Sequence, residues 1–193
     1  MDTLNDIATI HIGYSVRSSA KDTTTSDRRV IQMKDAWPDK IGQTLDFDRI
    51  NINKLPDHFP VRVGDLIFRP RGHHTTTVLI KQIMPSTICS APLMLIRVRS
   101  KEKVLPAYLN WFINSPRTQA VLDGYATGDK DRKISLTAIA GLEILVPTLV
   151  AQHHIMTEDA KMQQFIREQV AMLNQSQAKL DNYLWQHINK NLA

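Results

Sequence analysis

Apolar positions in the first hundred residues recur in short runs at two-residue spacing, separated by turns rich in Asp and Thr; beyond Leu105 the spacing becomes helical. Ile7 to Ile12 alternates as Ile-Ala-Thr-Ile-His-Ile and stops at Gly13. Arg29 to Met33, Val78 to Ile83 and Leu93 to Val98 predict further strands. Between Val61 and Phe68 two apolar runs flank Gly64-Asp65, a hairpin or bulge signal, which would present Arg69-Pro70-Arg71-Gly72 as an Arg-rich loop at a sheet edge. Pro106 suits the first turn of a helix through Trp111 and Phe112 to Asn114, and Ser115-Pro116 starts another through Val121 and Leu122. Gly124 and Gly128 bracket an exposed loop, Asp129 to Lys133. Ile134 to Leu142 predicts a short helix capped by Ser135, then a strand to Val146 and a stop at Pro147.

After Pro147 the pattern is one long helix. Ile166, Leu173 and Leu180 recur every seven residues, and Ile155, Met162, Leu184 and Ile188 extend the row at three-, four- and seven-residue spacings. Gln169 and Ser176 interrupt that seam, and Gln152, Gln163, Gln164, Gln175 and Gln177 flank it. Such a helix is roughly 60 Å long at about 1.5 Å per residue. A domain of about 150 residues cannot cover a stripe of that length, so the stripe calls for a second helix. The fold class expected is α+β: a mixed domain over 1–148 and a coiled-coil-like dimerisation helix over 149–193.

Charge divides the chain at the same place. From Gln152 to Ala193, Lys161, Arg167, Lys179 and Lys190 balance Glu158, Asp159, Glu168 and Asp181, which leaves 20 basic and 15 acidic side chains to the rest. Arg62 to Lys103 alone carries eight basic residues against Asp65 and Glu102, a footprint for a polyanion. Arg suits bidentate contact with guanine, whereas Lys, Ser and Thr more often hold phosphates. Candidate DNA contacts therefore form three loops: Arg69 and Arg71 with His73, His74 and the threonines beyond; Lys21 to Arg29, with Arg28; and Lys130, Arg132 and Lys133. The first two are expected in the groove and the third on the backbone, with Arg17, Lys34 and Lys81 as further contacts.

Other chemistries find little support. The single Cys89 reads as a buried thiol, and adjacent histidines point apart on a strand or helix, so neither His73-His74 nor His153-His154 makes a natural chelate. The second pair is expected to cap the long helix. No metal and no cofactor are expected. A glycine-rich cofactor loop, a phosphate-binding loop and the Asn/Asp-Pro-Pro-Tyr motif of adenine methylation are missing, and Glu102, Glu143, Glu158 and Glu168 lack a partner arrangement for a nuclease. There is no membrane-length apolar run and no basic start typical of a secretory signal, which makes the cytoplasm the expected compartment.

These residues carry a family resemblance. Leu4-Asn5-Asp6-Ile7-Ala8, Gly13-Tyr14-Ser15-Val16-Arg17 and Val30-Ile31-Gln32-Met33-Lys34-Asp35 resemble the opening of the target-recognition domain in the DNA-specificity subunit of type I restriction-modification systems. Val63 to Gly72 is similar to that domain's middle signature. Pro106-Ala107-Tyr108-Leu109, Phe112-Ile113-Asn114-Ser115, Gly128, Ile134-Ser135-Leu136, Leu142 to Pro147 and Gln152-His153-His154-Ile155 resemble its end and the start of the spacer helix. The pieces stand in the family's order over residues 4 to 188. The usual subunit has two recognition domains and two helices; this sequence has one of each, and Val150-Ala151 departs from the usual spelling before the spacer helix.

The resemblance implies a non-catalytic subunit that binds double-stranded DNA. Each copy would read one half of a bipartite site, with adenine-specific methyltransferase subunits docked on the helices and a motor-nuclease subunit as a further partner. Two copies paired antiparallel would read a symmetric, gapped target. Two other readings compete: a truncated half that modulates a full-length subunit, and a small metal-dependent nuclease whose carboxylates converge only in three dimensions.

Overall fold

The computed structural model describes residues 1–15, 27–37, 47–52, 59–72, 75–83, 85–128 and 132–191. The chain divides into two compact units, Met1–Gln152 and His153–Ala193. In the first, β1 (Asp2–Thr3), α1 (Leu4–Ile7) and β2 (Ala8–Ile12) are followed by β3 (Asp27–Ile31), β4 (Asp48–Asn51), β5 (Leu66–Arg69), β6 (Thr76–Leu79), β7 (Thr87–Cys89) and β8 (Met94–Val98). Then come α2 (Pro106–Asn114), α3 (Pro116–Tyr125), α4 (Leu136–Ala140), β9 (Glu143–Ile144) and the long α5 (Leu149–Asn191). The class is mixed α+β with a long C-terminal helix, as the sequence predicts.

Two sheets build the first unit. An antiparallel sheet runs β2-β8-β5-β6, and a second runs β4-β3-β7, with β3 and β7 parallel. Successive side chains of a strand face opposite ways, and here that alternation feeds two clusters. Ile31 and Cys89 enter a core with Phe47, Val61, Ile67, Val78, Ile80, Leu93 and Leu95, while Val30 and Ile88 join Ile52, with Tyr14 and Phe59 against them. Burial in that core pushes the Cys89 thiol up to about 12. The central strands β5 and β8 are apolar on both faces, with Leu66, Ile67, Phe68, Leu95 and Ile96 all buried. They read as continuous apolar runs for that reason.

One buried charge pair sits where these strands begin and end. Asp65 is only 2 % exposed, and its carboxylate accepts from Arg97 Nε and Nη2, each at 2.7 Å, and from the Arg62 amide at 2.7 Å. Arg97 also donates to the Pro60 carbonyl at 2.9 Å, and its hydrogen bond to Asp65 raises its pKa. Val61 to Val63 consequently forms no strand; Gly64, at φ 93°, turns the chain into Asp65. The expected strand-turn-strand over Val61 to Phe68 is corrected: β5 finds its hairpin partner in β6, on the other side of the Arg-rich loop.

Other boundaries shift for local reasons. Leu4–Ile7 is a helical turn, so the expected Ile7 to Ile12 strand starts at Ala8. Gly124 lies inside α3 instead of opening a loop. Ser115 and Ser135 cap α3 and α4, accepting from the Thr118 and Ala138 amides. The strand after α4 shrinks to Glu143–Ile144 and pairs with β1.

The start of α5 corrects two expectations. Thr148 Oγ accepts from the Ala151 amide at 3.4 Å, while His153 and His154 are exposed in the following turn, so the histidines do not cap the helix. Gln152, read as a flank of the apolar row, is fully buried. Its amide accepts from the Leu105 N–H and donates to the Lys103 and Pro147 carbonyls, each at 2.8 Å. Further along, Gln164 donates to Glu168 and Gln177 to Asp181, i,i+4 pairs that support an exposed helix.

Two stability predictions follow from these buried groups. Asp65→Asn strands the Arg97 guanidinium and should cost about 3 kcal/mol, read as a lower urea midpoint at unchanged slope. Gln152→Leu leaves three backbone groups unpaired and should cost about 2 kcal/mol. In calorimetry the midpoint should then fall by roughly 4–8 °C.

Candidate nucleic-acid interface

The β5–β6 hairpin carries the Arg-rich loop, and the loop is held from three directions. On its first arm, Arg69 lies over the Trp37 ring, 3.8 Å from its centre, with Nη1 donating to the Met33 carbonyl at 2.9 Å and Nε to the Arg71 carbonyl at 3.3 Å. The residue is half-buried, and desolvation lowers its pKa from the ordinary arginine value. Trp37 follows a tight turn in which Asp35 and Ala36 donate to the Gln32 carbonyl and the Asp35 carboxylate accepts from the Gln32 amide at 2.9 Å.

The second arm is tied to helices α2 and α3. Asn114 Oδ1 accepts from the Thr77 amide (2.9 Å) and Thr76 Oγ (3.0 Å), and its Nδ2 donates to the Thr77 carbonyl at 2.8 Å. Thr75 Oγ donates to Gln119 Oε1 at 2.9 Å, and Gln119 Nε2 donates to the Ile113 carbonyl at 2.8 Å. Helix α2 can end at Asn114 because Ser115-Pro116 breaks it there, which brings Asn114 and Gln119 to the hairpin.

At the tip, Arg71 pairs with Lys133 across an antiparallel bridge, and the Ile134 amide donates to the Pro70 carbonyl at 2.9 Å. Lys133 is bridged in turn to Thr127, each amide donating to the other's carbonyl at 3.0 Å. The adjacent Arg132 donates to the Asp123 carbonyl at the end of α3. Gly72 has φ 110°, a region that L side chains rarely adopt, so the turn after Arg71 requires glycine. Bridge partners stand side by side with Cβ atoms about 5 Å apart. Arg71 of the first predicted loop and Lys133 of the third thus stand side by side as one basic ledge.

The second predicted loop is different in kind. Arg28 and Arg29 lie on β3, with Arg29 opposite Arg49 of β4 and Arg28 opposite Ile50. Arg29 Nη1 reaches the Pro85 carbonyl at 3.5 Å, and Arg28 Nε is buried without a hydrogen-bond partner. Lys34 is ion-paired with Asp48 at 2.6 Å, both exposed, and this hydrogen bond raises its pKa; such a pair is worth little in stability. Lys81 is exposed just after β6. Arg17, Lys21, His73, His74 and Lys130 lie outside the described residues.

Sequence reasoning missed Trp37, Arg49, Asn114 and Gln119. Arg49 had a usable signal, a cation directly before the alternating run Ile50-Asn51-Ile52. The others act through partners remote in sequence: Trp37 on Arg69, Asn114 on the Thr77 backbone and Gln119 on the Thr75 hydroxyl. Among the described residues no group of three or more His, Cys, Asp or Glu side chains could hold a metal ion, and no helix is long and apolar enough to cross a membrane.

No family model matches the sequence, and no curated relative matches it. Solved structures do. The S subunit of the type I restriction-modification system from M. genitalium superposes with a TM-score of 0.55 at 11% identity, covering 84% of this chain and 38% of that one. The HsdS subunit from Thermoanaerobacter tengcongensis gives 0.61 at 17% identity over 86% of this chain and 42% of the other. A chain from a structure of type I R-M complex assembly and conformational transition gives 0.62 at 19% identity, over 95% and 42%. The chain spans about two fifths of the length of these subunits. Its fold is that of a type I restriction-modification S subunit, over about two fifths of such a subunit's length.

Proposed function

We propose that this chain is the DNA-specificity component of a type I restriction-modification system and is itself non-catalytic. Met1–Gln152 reads one half of a bipartite double-stranded site. The helix α5 pairs with that of a second copy, and the dimer brings adenine-specific methyltransferase subunits, with a motor-nuclease subunit as a further partner, to DNA in the cytoplasm.

The observation that carries the reading is the pairing of like charges. Arg71 stands against Lys133, and Arg29 against Arg49, at directly opposed ladder positions. Pairs of this kind gather cations on one surface, and contact between such cations and phosphate oxygens releases counterions. The arrangement suits a polyanion, and the S-subunit fold around it favours DNA.

The helix supports the second copy. Met162, Ile166, Leu173, Leu180, Leu184 and Ile188 are all exposed, with Ile155 half-buried. Phe165, Val170, Met172, Tyr183 and Trp185 are exposed too, so the apolar surface is broader than one heptad seam. In an antiparallel pair centred on Leu173, Met162 meets Leu184 and Ile166 meets Leu180, and Arg167 falls opposite Lys179. A parallel pair in register sets Arg167 against Arg167. The antiparallel arrangement carries its two recognition units to opposite ends of the helix pair about a two-fold axis, which makes the target symmetric and gapped.

Two measurements test this. Arg71→Ala and Lys133→Ala should each weaken binding to random-sequence duplex and lower the slope of log K against log salt by about 1; two unchanged slopes remove the ledge from the interface. Light scattering should give twice the chain mass, and Leu173→Glu should give the chain mass. A wild-type monomer at micromolar concentration ends the homodimer reading.

A further inference from the structure

Arg69 and Arg71 look equivalent in sequence, two arginines flanking a proline, but the bonds of Arg69 assign it a task of its own. A base-reading arginine offers one edge of its guanidinium, either Nη1 with Nη2 or Nε with Nη2, to guanine O6 and N7. In Arg69 each edge shares a nitrogen with a bond already made, Nη1 to the Met33 carbonyl and Nε to the Arg71 carbonyl. One face of the plane is also covered by Trp37. Bidentate contact with a base therefore requires Arg69 to give up part of this arrangement.

What the bonds of Arg69 hold is the loop itself. The Arg71 carbonyl is taken by Arg69 and the Pro70 carbonyl by the Ile134 amide, so both peptide oxygens of the Pro70-Arg71 turn have partners on fixed elements. The Met33 carbonyl belongs to the turn that also carries Trp37, so a single guanidinium joins the Gln32–Trp37 turn to the hairpin tip.

We propose that Arg69 is a positioning residue and not a DNA contact: clamped on Trp37 and Met33, it sets the loop from which Arg71 and Lys133 meet the duplex. This rests on the DNA-reading role proposed above. It divides two adjacent cations into one that supports and one that touches, and it makes Trp37 part of specificity from a position that meets no base.

The salt slope and the sequence preference respond differently to these two roles. Wild-type chain is first used to select a preferred duplex from a random-sequence pool, and binding is then compared on that duplex and on random duplex. Arg69→Met keeps a stem that packs on Trp37 but removes the charge and the fork. Its slope on random duplex should stay within a few tenths of wild type, whereas Arg71→Ala should lose about 1. Arg69→Lys and Trp37→Leu should each lower the preference for the selected duplex roughly tenfold, because Lys cannot reproduce a stacked, forked contact. The double variant Arg69→Lys/Trp37→Leu should be no worse than either alone. Trp37→Phe, which keeps an aromatic face, should retain the preference, and circular dichroism confirms that each variant is folded. An Arg69→Met slope lower by about 1, or an undiminished preference in Arg69→Lys, overturns the assignment while leaving the DNA reading intact. A folded wild-type chain that selects no duplex overturns both.

Discussion

The buried pair of Asp65 and Arg97 fixes how β5 and β8 lie beside each other, and the rest of the first unit is arranged around those two strands. A carboxylate with almost no exposure is tolerable only when its lone pairs are filled. Asp65 meets that condition with both guanidinium nitrogens and the Arg62 amide. The consequence reaches beyond stability. With its start anchored, β5 has no freedom to slip in register, and a slip by one residue would exchange Ile67 and Phe68 between its two buried faces and carry Arg69 to the opposite face.

Rigidity then passes from the strands to the ledge. A loop of Pro, Gly and Arg has little local preference to hold it in place, yet this one is bonded to the Gln32–Trp37 turn, to α2 and α3 and to the strand-like segment around Lys133. Binding by an ordered loop avoids part of the entropy that a free one would lose. The long helix is built on a different principle. Its charges cancel and its apolar side chains are exposed, so what it lacks is a partner surface and not local order.

Much of this was legible in the sequence because it depends on short-range rules. Ser-Pro at 115–116 and Ser135 mark helix starts, alternation marks β2, a continuous apolar run marks β8, and the seven-residue row marks α5. The misses share a cause. Strand β7 is three consecutive buried residues, Thr87 to Cys89, with no alternation, and it pairs in parallel with a strand more than fifty residues earlier. The Arg71–Lys133 bridge joins positions that far apart as well, through backbone bonds to which side-chain identity contributes little. Gln152 looked like part of a polar flank because a fully buried glutamine differs from an exposed one only in what the chain folds around it. For the arginines, composition announced charge, but only the fold distinguishes Arg69 stacked on Trp37 from Arg71 at the ladder.

The side chain of Asn114 has a second effect besides holding the hairpin. An asparagine amide carries the same donor and acceptor as a peptide unit, and here it occupies the N–H and C=O of Thr77 that β5 leaves unused on the outer side of β6. An outer strand with free backbone groups is a template for pairing with another chain. Asn114 closes that template with a single residue supplied by a helix. The first unit is thereby kept from joining another chain, sheet to sheet, at this strand.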